Sequence, residues 1–148
     1  MLDVATDSRG IARVTLNRPE KLNAFDEALI AALDRTFAQL AGAPPRAVLL
    51  SGAGKSFCAG ADADWMRRAA GWSEGENRAD AQKLSDMLAR IDSCPCPVIA
   101  QVHGFAMGGV GLVLETSDGG RIWRERLIRR SDVGDLSLNR LIVQGEQV

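Results

Sequence analysis

Lys55-Ser56-Phe57-Cys58-Ala59-Gly60-Ala61-Asp62-Ala63-Asp64-Trp65-Met66 is the stretch on which the reading of this chain turns. Its counterpart further on is His103-Gly104-Phe105-Ala106-Met107-Gly108-Gly109. Both place small residues where the main chain must lie bare. Small residues let a ligand approach the backbone closely. Two bare N–H groups aimed at one point form an oxyanion hole, which stabilises an oxygen as it gains negative charge.

The elements around these stretches alternate between strand and helix. Residues 2–7 and 11–16 are short runs rich in Val, Ile, Leu and Thr, with Asp7-Ser8-Arg9-Gly10 as the turn between them. That pattern predicts a β-hairpin. Pro19 stops the second strand, because it has no N–H for a ladder. Asp26 fits the N-cap of a helix whose apolar face is Leu29, Ile30, Leu33, Phe37 and Leu40. Ala47–Leu50 is a continuous apolar run, which predicts a strand buried on both faces.

Residues 51–60 read as loop, and 62–70 as a helix carrying Trp65, Met66 and Ala69. Gly71–Asn77 is polar and predicts a mobile surface loop. Arg78–Ile91 predicts a helix with Leu84, Met87, Leu88 and Ile91 on one face. Val98–Val102 predicts another buried strand, and a glycine-rich turn over 104–111 leads into a helix beginning near Gly108. The order β-β-α-β-α-α-β-α points to an α/β domain with its strands covered by helices.

Bulk composition narrows the field. The chain has 148 residues, 46% hydrophobic and 25% charged, with a net charge of −1. Such a balance favours neither nucleic acid nor an anionic membrane as partner. No apolar run reaches the roughly 18 residues of a membrane span. The opening MLDVATDSRG has neither the basic nor the apolar region of a secretory signal, so a cytoplasmic location is expected. Cys58, Cys94 and Cys96 fit no zinc or CxxC spacing, and His103 is the single histidine. The expectation is therefore reduced thiols and no metal site. A hydrolase triad is unsupported, since no G-x-S-x-G motif occurs.

The texture changes after about Val113. Ala, Lys and Pro do not recur, and every later basic residue is Arg. No sustained apolar face or buried strand is legible there. The expectation is a core over residues 1–113 and an atypical tail over 114–148, either poorly ordered or translated out of frame after a small deletion near Gly109–Leu114.

Three motifs resemble the enoyl-CoA hydratase/isomerase, or crotonase, superfamily. Leu16-Asn17-Arg18-Pro19 with Leu22-Asn23-Ala24-Phe25 resembles its N-terminal signature. Ser56–Asp62 resembles its first oxyanion segment, and Val102–Gly109 its second. The motifs stand in the family's order and at its approximate spacing, across residues 2–113. The resemblance implies a crotonase-like ββα spiral, here C-terminally truncated. It implies an acyl-CoA thioester as ligand, with coenzyme A as part of the substrate and no other cofactor. The backbone N–H groups of Ala61 and Gly109 would be the oxyanion donors, each worth about 3 kcal/mol at a transition state. Lys21, Ala59, Gly60, Asp62, Trp65, Met66 and Gly108 would bind substrate. Gly60–Met66 is further similar to hydratases of branched, methylglutaconyl-type substrates in leucine and isoprenoid breakdown.

The same resemblance exposes a gap. Hydratases of this family use two glutamates to hold and deprotonate water. The position three residues after Gly109 is Leu112, or Gly111 if one glycine of the usual three is missing. Glu115 lies about one helical turn further on. The later F-x-x-x-E-x-x-x-G segment has no match, and Glu125 stands among unrelated neighbours. Family members form trimers or hexamers through C-terminal helices beyond the length of this chain. Two readings follow: hydration of a 2-enoyl-CoA, or an inactive acyl-CoA-binding fragment.

Overall fold

The computed structural model describes residues 1–107, 112–115 and 124–127. Strands β1 (Leu2–Thr6) and β2 (Ile11–Leu16) form the antiparallel hairpin, in the register Leu2↔Leu16 to Thr6↔Ala12. Asp7 closes the turn, its Oδ1 accepting from the N–H groups of Arg9 and Ile11 at 2.9 and 3.1 Å. Strands β3 (Ala47–Gly52) and β4 (Val98–Gln101) then add in parallel, giving the sheet order β1-β2-β3-β4.

Helix α1 (Glu27–Gly42) begins where Asp26 caps it, accepting from the Leu29 N–H at 2.9 Å. Its Leu29, Ile30, Leu33 and Phe37 are buried on Ala12, Val14 and Leu16 of β2 and Val48 of β3, in one apolar cluster. This is the expected amphipathic face, each large side chain contributing about 2 kcal/mol by leaving water. Helix α2 (Ala63–Ala69) buries Trp65 in the same cluster. Helix α3 (Glu74–Asp92) lies against α1 and sends Met87 into that core.

The structure departs from the sequence pattern in several places. The stretch expected as a loop over Gly71–Asn77 already holds the first turn of α3. Ser73 and Glu76 form a capping box: the Ser73 hydroxyl accepts from the Glu76 N–H, and the Glu76 carboxylate accepts from the Ser73 N–H at 2.8 Å. Two orphan N–H groups are thereby satisfied, so a polar segment starts a helix without an apolar face. Ser73→Ala is expected to cost about 1 kcal/mol, read as a lower urea midpoint with an unchanged slope.

Leu88 is 49% exposed rather than facing the core. The strands expected as doubly buried are only partly so. In β3 Val48 alone is fully buried, and in β4 Ile99 is 51% exposed. In β4 the cause is alternation: Val98 and Ala100 are half-buried on one face, and Ile99 and Gln101 are exposed on the other.

A second, antiparallel sheet holds β5 (Phe105–Met107), β6 (Leu112–Glu115) and β7 (Arg124–Leu127), in that order. Strands thus occur where the tail pattern offered none, and residues 112–115 do not continue the helix expected from Gly108. Gly108 and Gly109 themselves lie outside the described residues. Among the described residues no helix is long and apolar enough to cross a membrane.

Candidate active site

The site begins with backbone pairing. Phe25 and Ala61 form an isolated parallel bridge. Phe25 donates its N–H to the Gly60 carbonyl at 2.7 Å and accepts from the Asp62 N–H at 2.8 Å. In extended chain, successive residues turn their N–H groups to opposite sides. Gly60 and Asp62 therefore face Phe25, and Ala61 faces away. No acceptor among the described residues takes the Ala61 N–H, and Ala61 is exposed. Gly60 makes the turn possible at φ +84°, where a side chain would be strained. Its own N–H is occupied by the Cys58 sulfur at 3.4 Å, and that of Ala59 by the Leu22 carbonyl at 3.0 Å. Of the three small residues, Ala61 alone offers a bare donor.

Asp62 holds this arrangement from the other side. It is 3% exposed, and its Oδ1 caps α2 by accepting from the Asp64 and Trp65 N–H groups at 2.7 and 3.2 Å. Its Oδ2 faces the Arg18 guanidinium at 2.9 Å, an ion pair whose angle is not that of a hydrogen bond. Arg18 also reaches Asp26 at 3.0 Å and donates to the Ala24 carbonyl at 3.0 Å. One mostly buried guanidinium thus ties together the N-caps of α1 and α2. The Arg18 charge is committed inside the protein.

Lys21 differs, being 47% exposed and paired with Asp64 at 2.9 Å. Met66 is 53% exposed, while Trp65 is buried and its indole N–H has no partner among the described residues. Among those residues no three His, Cys, Asp or Glu groups converge as a metal site requires.

A hub that sequence reasoning missed lies beneath the site. Asn23 is fully buried at φ +56°, in a turn with Leu22 at φ +51°. Its Nδ2 donates to the carbonyls of Ala53 and Ser56, both at 2.8 Å, and its Oδ1 accepts from the Arg18 N–H at 2.9 Å. His103 places Nε2 3.0 Å from the Gly54 carbonyl, and its backbone carbonyl accepts from the Phe57 N–H at 2.9 Å. Cys58 then bridges to Ala106. All three sequence motifs therefore meet on the 53–61 segment. His103 thus ties its own turn to the 54–57 segment.

Acidity follows from this geometry. Burial pushes the Asp62 carboxyl up, but the N–H donors of Trp65 and Asp64 and the charges of Arg18 and Lys21 outweigh it and hold the group below 3.8. Lys21 and Arg67 hold Asp64 down at about 2. A depressed folded value means the charged form is favoured in the native chain. The stability it confers is full above the ordinary value and is lost as pH falls through the folded one. Thermal melting is expected to hold steady between about pH 7 and 5 and to fall below about pH 4, less steeply in Asp62→Asn. A pH-independent melting temperature down to about pH 2.5 would contradict this.

Comparison with known proteins agrees with the motif order. The enoyl-CoA hydratase/isomerase family model matches residues 6–118. A probable enoyl-CoA hydratase of Rhodobacter capsulatus is 40% identical over 114 residues, 72% of this chain and 40% of that protein. The mitochondrial Delta(3,5)-Delta(2,4)-dienoyl-CoA isomerase of Mus musculus is 35% identical over 117 residues, 73% of this chain and 36% of that protein. Among solved structures, an enoyl-CoA hydratase of Mycobacterium smegmatis superposes with a TM-score of 0.65 at 42% identity, covering 70% of this chain and 40% of that one. One from Shewanella pealeana gives a TM-score of 0.67 at 35% identity, covering 70% and 39%. The chain thus spans about 40% of the length of these relatives. The fold is that of crotonases, a mixed α/β sheet with helices. The chain belongs to the enoyl-CoA hydratase/isomerase family.

Proposed function

We propose that this chain binds an acyl-CoA thioester and polarises its carbonyl oxygen through the Ala61 N–H. The supporting observation is the bare, outward-facing N–H of Ala61, held so by the Phe25 bridge. Gly109, matched by sequence motif, supplies the second donor. The thioester oxygen accepts both hydrogen bonds, and electron density shifts onto it from the carbonyl carbon and any double bond conjugated with it. Two such donors are worth about 3 kcal/mol each where negative charge develops fully on that oxygen. Lys21, still near the surface, exchanges Asp64 for a phosphate of the coenzyme. Met66, exposed where Trp65 is buried in the core, flanks the acyl chain, for which the Gly60–Met66 wording favours a branched, glutaconyl-type group.

Hydration needs acids that move protons, and neither Leu112 nor Gly111 is one. The expected behaviour is binding with polarisation and no addition of water. The test uses a cinnamoyl-CoA thioester bearing an electron-donating ring substituent. Its absorption moves to longer wavelength when the carbonyl oxygen accepts hydrogen bonds. The chain is expected to produce that shift, and Ala61→Pro, which lacks the N–H, to lose it. An undiminished shift in a folded Ala61→Pro chain would sink the assignment. Hydration of crotonyl-CoA abolished by Glu115→Gln would instead make Glu115 the missing acid.

A further inference from the structure

Cys94 and Cys96 flank Pro95 between the end of α3 and the start of β4, and nothing in the acyl-CoA reading uses them. Their sulfurs stand 3.6 Å apart, and both side chains are half-buried against the core cluster. The turn is pinned at both ends: Cys94 donates its N–H to the Ile91 carbonyl at 3.2 Å, and the Pro97 carbonyl accepts from the Val48 N–H at 2.8 Å. Pro95 adds a locked φ. The two sulfurs are therefore held as a pair by the fold.

We infer that Cys94 and Cys96 form a two-thiol capture site for a trivalent thiophilic centre that carries its own third substituent, the monoorganoarsenical class. A soft centre bonded to two sulfurs at about 2.3 Å, with an angle near 100°, sets them about 3.5 Å apart. That is close to the separation already present. A direct S–S bond of about 2.0 Å needs the sulfurs to close by about 1.6 Å. Burial and the Cys94 sulfur also push the Cys96 thiol up, so the thiolate that drives disulfide exchange is scarce. A monoorganoarsenical brings its own third substituent, so the two sulfurs complete its coordination. Condensation with an arsenoxide breaks two S–H bonds, forms two S–As bonds and releases the oxygen as water. No electrons are exchanged.

Phenylarsine oxide is the probe. The wild-type chain and Cys58→Ser are expected to retain one equivalent through desalting, read by mass spectrometry, and to release it to a small dithiol. Cys94→Ser and Cys96→Ser are expected to retain none. A peptide of residues 91–99, without the pinned turn, is expected to release its arsenical at about tenfold lower dithiol. Retention by either single variant, dependence on Cys58, or equal retention by the peptide would overturn the proposal.

Discussion

Asn23→Ala is expected to destabilise the chain by about 4 kcal/mol, close to the whole stability of many domains. The substitution removes three hydrogen bonds and strands the carbonyls of Ala53 and Ser56 and the N–H of Arg18 in a buried place. Each lost bond costs about 1 kcal/mol. Alanine at φ +56° adds about 1 more, because its Cβ crowds the following carbonyl, whereas asparagine tolerates that region. Asn23→Gly separates the two contributions. It loses the same bonds but keeps the left-handed turn free of strain, so it should fall short of alanine by about 1 kcal/mol. Urea midpoints of the three chains measure both. A loss below about 1 kcal/mol in Asn23→Ala would show that the loop does not depend on this side chain.

Gly104→Ala should be of similar size for a different reason. Gly104 has φ +60°, and a methyl group there would be driven into the Lys55 carbonyl oxygen and against Ser56 Cα at 3.1 Å. Both obstacles are backbone, so no side chain can swing away. The left-handed conformation costs about 1 kcal/mol and the overlap about 3, giving about 4 kcal/mol in all. The loop that must yield is the one Asn23 grips from below. Combining the two substitutions should therefore cost less than their sum, since sites sharing one loop couple. Full additivity in urea unfolding would mean that the two contacts act on independent parts of the chain.

Much of this was legible in local pattern. Helix α1 announced itself because Leu29, Ile30, Leu33 and Phe37 repeat at helical spacing and all meet the core. The β1–β2 hairpin followed from Asp7-Ser8-Arg9-Gly10 between two strand-like runs. The start of α3 was also written in the sequence, as Ser73 with Glu76 three residues later, but a capping box in a polar stretch carries no apolar face. Other features depend on pairing between distant residues. Arg18 and Asp62 are 44 positions apart, 62 minus 18, and no periodicity announces that one guanidinium will hold two helix caps. Asn23 sits inside a recognisable motif, yet its role is visible only once Ala53 and Ser56 are brought beneath it. The bare N–H of Ala61 is the clearest case. Small residues suggested close approach, but which of Ala59, Gly60 and Ala61 stays free is decided by Leu22, Cys58 and Phe25.

The most direct test looks at that N–H itself. In a nitrogen-15-labelled chain titrated with a non-hydrolysable acyl-CoA analogue that keeps the carbonyl oxygen, the amide proton of Ala61 is followed by NMR. A hydrogen bond to that oxygen draws the proton resonance downfield. The account predicts a saturable downfield shift of Ala61, with the amides of Ala59 and Asp62, already bonded to Leu22 and Phe25, moving little. Saturated binding that leaves Ala61 unmoved would contradict it.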